Sequence, residues 1–441
     1  MRPRHALILA LAASATRTAH ADPFAVFGLT SRRAAQANAG AASVDDASAL
    51  YYDPAGLVGG PAEVELGAIG GFSHLAVGDT TSSSLSDPYG FQLAVRAPVP
   101  LRGALHGRIA VGIALHMLPV DITRVTAPAP DRAFYPMYGD STSRLVVMPG
   151  AAVKLGHGIS AGVAINVLAG LSGTIYAAEG ATRAIDSRVD ERAQTIARFN
   201  AGVAWQLRPD LRVAAVYREK FEVPFETAAT TLVAGEPIDI DLRAVGQFTP
   251  DELVLGGAWS PDPLTLSLDV EYARWSSYPG PYVHVDSTLP LIGAVPGQTP
   301  SVPFKDTLAI RLGAESKLPR GHCGFIWRGG VAFETSPVPA VQTGITNLLD
   351  GPKETIAGGV GYSWPHVGKG VRLDAHLMLQ IVDSRTITKQ IWDGTGSYDP
   401  FTSLRDEDIN TPGTQISNPG YPSIKSGGEV VSGGVTLEVG L

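Results

Sequence analysis

The sequence holds a single cysteine, Cys323, so no intramolecular disulfide framework is available to it. It has no later run of about 18 consecutive apolar residues, which excludes a transmembrane helix. Charged side chains make up only 17% of the chain, and the net charge of -8 gives no basic surface for nucleic acid. The 10 histidines are scattered without the His/Cys spacing of a metal site. No nucleophile elbow and no phosphate-binding loop is present. No cofactor, no metal and no enzymatic activity is therefore implied.

What is present begins with a leader. Arg2, Arg4 and His5 make a basic start, Ala6 to Ala13 a short apolar run, and Ala19-His20-Ala21 a small-x-small cleavage site. The run is too short for an anchor, so residues 1–21 are predicted to be a signal peptide, with Asp22 as the mature N-terminus. No cysteine lies there to direct lipoprotein processing. Export, few charges, 50 glycines and no apolar helix together point to an all-β fold, a transmembrane antiparallel β-barrel.

Such a barrel needs segments of about ten residues alternating apolar with small or polar side chains. Ile109, Val111, Ile113, Leu115 and Met117 alternate with Ala110, Gly112, Ala114 and His116. Leu264, Leu266, Leu268, Val270 and Tyr272 alternate with Thr265, Ser267, Asp269 and Glu271, and residues 371–381 do the same. Fourteen such strands are expected, near 61–72, 88–98, 107–118, 143–154, 158–169, 191–207, 211–222, 238–260, 264–276, 305–316, 324–334, 353–364, 370–383 and 429–441. Even-numbered connections are short, as at Arg208-Pro209-Asp210, Pro261-Asp262-Pro263 and Trp364 to Lys369. Odd ones are long, as at 119–142, 277–304 and 384–428. Short periplasmic turns and long outer loops fit a bacterial barrel of one domain, residues 61–441. Within 238–260 the apolar parity switches across Thr249-Pro250, which predicts a β-bulge there.

Before the first strand stands "ASVDDASALYYDPAGLVGG", Ala42 to Gly60. Asp45 or Asp46 is expected to cap a short helix through Tyr52, and Pro54 to stop it. Asp53 is placed to cap a second turn with Pro54 first and Gly56 releasing it. A compact segment entering from the periplasmic side has the lumen as its destination. Residues 22–60 are accordingly expected to form a hatch, with Tyr51 and Tyr52 lining a ligand path or packing on the wall.

The stretch "FGLTSRRAAQANAGAASVDDASALYYDPAGL" resembles the N-terminal hatch of the FadL/TodX family of outer-membrane transporters for long-chain fatty acids and aromatic hydrocarbons. "FTPDELVLGGAW", "LSLDVEYARWSSY", "DTLAIRLGAE" and "WRGGVAFETSPVP" extend the resemblance in family order over nearly the whole mature chain. Asp53, Pro54 and Ala55 stand where the family has Asn-Pro-Ala, which keeps the cap and adds a charge. The chain ends on Leu441 rather than the family's usual Phe. The resemblance implies passive uptake of hydrophobic molecules, with a hydrophobic small molecule and outer-membrane lipids as partners. Periplasmic chaperones and the barrel assembly machinery would deliver a monomer, and no nucleic acid is involved. Rival readings are a general diffusion porin, a structural barrel, or a barrel enzyme, and His116, His284 and His376 suggest no catalytic grouping for the last.

Inward-facing charges are expected at Arg198, Arg218, Lys220, Asp269, Glu271, Arg311 and Arg328. Most would form a lumenal lattice of ion pairs, with Asp269, Glu271, Arg311 and Arg328 pairing across consecutive strands. Arg218 and Lys220, near the outer end of their strand, are the candidates for meeting a carboxylate headgroup. Trp275, Tyr278 and Tyr282 are expected in the outer aromatic girdle. Asp406, Asp408 and Asn410 have the spacing of a calcium-loop start, but Thr411 and Ser417 replace its glycine and bidentate acid, so a solvated loop is favoured. Cys323 is expected as a buried spectator in a periplasmic turn.

Overall fold

The structure is a computed structural model that describes residues 23–77, 80–82, 89–117, 133–138, 145–179, 185–233, 236–280, 284–289, 293–295, 303–319, 321–343, 346–390 and 422–441. The signal-peptide residues, Tyr282 and the 406–417 segment lie outside these. No described helix is long and apolar enough to cross a membrane. Strands do it instead.

Fourteen antiparallel strands close into one barrel. In chain order they are β1 (Glu63–Val77), β2 (Tyr89–Pro98), β3 (Ile109–Met117), β4 (Val146–Gly156), β5 (Ile159–Glu179), β6 (Ile185–Arg208) and β7 (Leu211–Arg218). The second half is β8 (Glu252–Trp259), β9 (Leu264–Ala273), β10 (Thr307–Ser316), β11 (Gly324–Glu334), β12 (Lys353–Trp364), β13 (Val371–Gln390) and β14 (Ser423–Gly440). Each strand pairs with its neighbour in sequence. The last closes on the first, from Glu63 opposite Gly440 to Val77 opposite Ser426. Closure leaves no sheet edge, the condition for a sheet to sit in hydrocarbon.

The alternation read from the sequence sorts faces correctly. On β9, Leu266, Leu268 and Tyr272 are exposed while Ser267 and Asp269 are buried. On β13, Leu377 is 69% exposed and its neighbours His376 and Met378 are 5% and 3% exposed. An outside richer in apolar surface than the inside is the inverse of a soluble protein and the normal state of a membrane barrel. Aromatic side chains mark both rims. Trp205, Trp259, Phe325 and Trp327 are exposed towards the short-turn end. Tyr217 and Tyr272 at the outer end donate their hydroxyls to Asp251 and Asp306. Trp275 and Tyr278 do not join that girdle. Both are 3% exposed, packed with Phe248 and Phe304 in an apolar cluster, because the chain after β9 folds inward.

Two further expectations need correction. Residues 238–260 are not one bulged strand. Glu236–Thr249 pairs with Phe221–Val233 as a hairpin beyond β7, and the barrel strand β8 starts only at Glu252. Pro250, unable to donate to a ladder, breaks the strand rather than bulging it. The register shift lies earlier, between Val245 and Gln247. Cys323 is exposed, not buried, in the turn between β10 and β11.

Segments 133–138, 336–343 and 346–350 fold over the outer end and interlock. The Phe134 N–H donates to Asn347 O, and the Leu349 N–H donates to Phe134 O. The Tyr135 hydroxyl donates to Ala76 O at 2.6 Å and accepts the Gly427 N–H at 2.8 Å, tying this roof to both closing strands.

A charge on the lipid face tests the architecture. Leu268→Arg places one at mid-strand and is expected to cost about 2–4 kcal/mol if it sits near the bilayer midplane. Denaturant titration of the folded protein, whose unheated form should migrate faster on gels, reads that loss. An unchanged midpoint would mean that this face does not meet lipid.

Candidate functional site

Residues 23–60 fill the barrel interior as a plug. Three short helices, α1 (Pro23–Phe27), α2 (Ser31–Ala34) and α3 (Ala49–Tyr52), and one 3-10 turn, Pro54–Leu57, make up its regular parts. Local chemistry sets each boundary. The Asp46 carboxylate accepts the Ser48 N–H at 3.1 Å ahead of α3, while Asp45 serves an ion pair instead. Asp53 is extended (φ -161°), as the residue before proline prefers, and ends α3. Its Oδ1 accepts the Ala55 N–H at 2.9 Å, which caps the next turn.

The wall is cut to receive this corner. A Cβ at Gly162 would fall 2.4 Å from the Pro54 carbonyl carbon, and one at Gly202 would fall 2.0 Å from Asp53 Oδ1. Gly112 and Gly150 admit Leu50, and Gly359 admits Ala35. Side chains of the wall then hold the plug backbone. Asn200 donates to Leu50 O and Tyr51 O, both at 2.9 Å. Asp269 accepts the N–H groups of Gly40 and Ala41 at 2.7 and 2.9 Å. Gln92 accepts from Thr30 and donates to Gly28, while Thr436 accepts from Ser31.

Two ionic systems run through the interior. In the first, Arg32 of α2 forks onto Glu315 at 2.7 and 2.8 Å and also meets Asp45 and Asp46. Glu315 passes the contact to Arg328 at 2.6 Å, Arg328 to Asp374 at 2.7 Å, and Asp374 to Arg372 and on to Glu438. Burial alone would raise the Asp46 carboxyl, but Arg33 and Arg32 hold it well below the usual range. In the second, Arg218 meets Glu252 at 2.8 Å and Glu271 at 3.5 Å. Arg311 grips Glu271 with both terminal nitrogens at 2.9 and 3.2 Å. Lys353 lies at 3.3 Å from Glu334 and 3.2 Å from Asp350.

The residues singled out from sequence therefore come together, with changed partners. Asp269, expected in the cross-strand pairs, serves the plug backbone. Arg328 pairs with Glu315 and Asp374 rather than with the β9 acids. Arg218 lies in the lattice, its guanidinium carbon 4.4 Å above the Tyr51 ring. Lys220 pairs with Glu222 at 3.0 Å, and Arg198 donates to Lys220 O. Tyr51 and Tyr52 pack edge to face, centroids 5.1 Å apart, and Tyr51 packs on Phe24 at 5.2 Å. The Tyr52 hydroxyl donates to Asn38 Oδ1 and accepts the Leu29 N–H. The sequence suggests no pairing role for Arg32, Glu315 or Asp374. Glu315 shares the parity of Arg311, and Asp374 that of His376, so alternation alone could have placed both inside.

Between plug and wall lie two cavities of about 10 and 20 Å³, the first bordered by Phe24, Tyr51, Tyr52, Arg218 and Arg311. Each has room for water and none for an apolar solute. Above them Val26 and Phe27 of the plug join Tyr135, Met137, Tyr138, Phe248, Trp275, Tyr278, Phe304, Leu348 and Leu349 in one apolar cluster. Among the described residues no group of His, Cys, Asp or Glu is arranged to hold a metal ion.

Two outcomes test how the plug is seated. Gly162→Ala should displace the Pro54 corner, since backbone cannot yield 2.4 Å contact. A folded barrel of raised conductance in planar bilayers is expected, and wild-type conductance would place the corner elsewhere. Asp53 is fully buried, and its Oδ2 has no partner among the described residues. Burial pushes its carboxyl up to about 7, against the Ala55 N–H and the charges of Arg212 and Arg218, with Asp269 adding to the rise. A raised folded-state pKa means seating is tightest at acid pH and weakens as pH rises through about 7. Hydrogen exchange of residues 49–57 should accelerate across that window, and Asp53→Asn, which keeps the cap, should flatten the response. Equal slopes in both proteins would clear Asp53.

No protein-family model matches the chain. The alkane uptake protein A of Marinobacter nauticus is 24% identical over 264 residues, a match spanning 56% of this chain and 57% of that protein. Among solved structures, a Pseudomonas aeruginosa FadL homologue superposes with a TM-score of 0.58 at 12% identity, covering 93% of this chain and 98% of its own. The P. putida toluene transporter TodX gives 0.56 at 13% identity, with 94% and 99% covered. The fold is similar to that of these two solved structures.

Proposed function

We propose that this chain is an outer-membrane channel for the passive uptake of hydrophobic molecules, gated by its N-terminal plug. The observation that carries this reading is the contrast between the two ends of the lumen. Its outer end is roofed by an apolar cluster of aromatic and aliphatic side chains, and the two cavities beside the plug have room only for water. A general porin needs the reverse, an open and wetted passage. An apolar solute leaving the polar cell surface gains free energy in the outer cluster. Onward passage needs the plug to shift, because the cavity beside Tyr51 and Tyr52 has room only for water and the Asp53-Pro54-Ala55-Gly56 corner lies hard against Gly162 and Gly202. No energy source is needed. A ligand that binds the shifted state better moves the population towards it, by no more than that difference in affinity. The names of the similar proteins, an alkane uptake protein and a toluene transporter, support the same direction. In this reading the chain acts as a monomer, delivered by periplasmic chaperones and the barrel assembly machinery.

Removal of residues 42–60 tests the gate. Every barrel strand lies after this stretch, and closure satisfies the strands' own backbone groups. The shortened chain should fold, conduct ions strongly, admit large antibiotics and lose selective uptake of hydrophobic solutes. Sugars should swell liposomes carrying the shortened chain and leave those with the full chain unchanged. A folded variant with unchanged conductance would show that this stretch does not close the passage. Fast sugar entry through the full chain would favour the porin.

A further inference from the structure

We propose that the passage takes uncharged apolar molecules and excludes free carboxylates; this rests on the uptake reading and names its substrate class. Recognition of a carboxylate needs a guanidinium or ammonium with an unoccupied face, ideally the fork of an arginine. The cations bordering the two cavities, Arg218, Arg311 and Lys353, offer no such face. At the cavity beside Phe24, Tyr51 and Tyr52, the position between Arg311 and Arg218 is filled by the wall's own carboxylate. Glu271 takes both terminal nitrogens of Arg311 and lies 3.5 Å from Arg218, as an anionic headgroup would. The rest of Arg218 is used as well, on Glu252, on Tyr51 O and over the Tyr51 ring.

The pattern recurs. Arg328 is held between Glu315 and Asp374, and Lys353 between Glu334 and Asp350. Guanidiniums without an acid partner are turned onto main-chain carbonyls: Arg198 onto Lys220 O, Arg212 onto Val44 O and Arg385 onto Val338 O. Carboxyl oxygens without a partner are present as well. Asp53 has one partnerless oxygen at the plug corner, and both Glu65 oxygens are buried without a partner among the described residues. An entering carboxylate would have to displace a desolvated internal acid and then share the lumen with it. A hydrocarbon has only to replace apolar contacts.

Channel-dependent uptake of labelled naphthalene and 2-naphthoate, matched in ring system and differing in charge, separates the two classes. The full chain is produced in a Gram-negative host lacking its own hydrophobe channels, and the same host without the chain is the blank. Naphthalene uptake should exceed that of naphthoate by at least about tenfold, since the anion must break an existing buried pair. Glu271→Gln empties the Arg311 fork and should raise naphthoate uptake several-fold, narrowing the ratio. Should that variant fail to fold, judged by its gel shift on heating, the wild-type ratio decides alone. Naphthoate entering as fast as naphthalene overturns the proposal while leaving uptake intact. Entry of neither probe overturns the uptake reading itself.

Discussion

A strand in hydrocarbon cannot leave a backbone N–H unpaired, and here that is met by closing β14 onto β1 over fifteen consecutive residues. Closure has a consequence inside. A ring of fourteen strands is too wide for its own side chains to fill, as they do in the smallest barrels. The interior must hold either water or more protein. This chain supplies protein, residues 23–60, and the wall is shaped for it. Gly162, Gly202 and Gly359 are concave places where plug atoms come closer than any side chain would permit. Small inner residues, which read as mere absence of polarity in the sequence, are the imprint of the plug.

Filling a lumen with polypeptide brings polar groups into a dry space, and they are handled by pairing. The plug's helices are too short to satisfy their own ends, so Asn200, Gln92 and Thr436 complete them from the wall, while Asp269 takes the Gly40 and Ala41 N–H groups between them. The Arg32–Glu315–Arg328–Asp374 ladder does the same for charge. Such buried pairs add little net stability over apolar packing, yet breaking one by removing a partner costs about 3–5 kcal/mol. Their effect is to make one seating of the plug distinct from all others. Arg32 forked on Glu315 cannot slide by a residue without leaving two desolvated charges.

Much of this was legible in the sequence, because a strand's period of two reports which face a side chain takes. Ser267, Asp269 and Glu271 were placed inside from alternation, and so were Arg311 and Arg328. Parity says nothing of depth or partner, however. Arg218 is inward as expected, but its neighbours across the sheet, Glu252 and Glu271, already neutralise it. Connections carry no period at all. Trp275 and Tyr278 looked like girdle residues because they follow a spanning strand, and only the inward fold of their segment buries them on Phe248. Pro250 carried a real signal that was read too mildly, as a bulge within one strand rather than the end of a hairpin.

The division of the interior into two chemical zones gives the plug its direction. Its lower part, Val44 to Val58, is surrounded by glycine and alanine wall and by the ion pairs near the turn end. Its upper tip, Val26 and Phe27, is held mainly by apolar contacts with the inward-folded outer segments, with one hydrogen bond from Gln380 to Val26 O. An apolar ligand competes with the tip on equal terms, since both are bound by the same non-directional force. It cannot compete with the ladder, whose contacts are ionic and specific. In the proposed uptake, ligand entry would therefore act first on the part of the plug that the outer cluster holds. The Pro54 corner then sets how far the disturbance travels, because the backbone there is locked between Gly162 and Gly202.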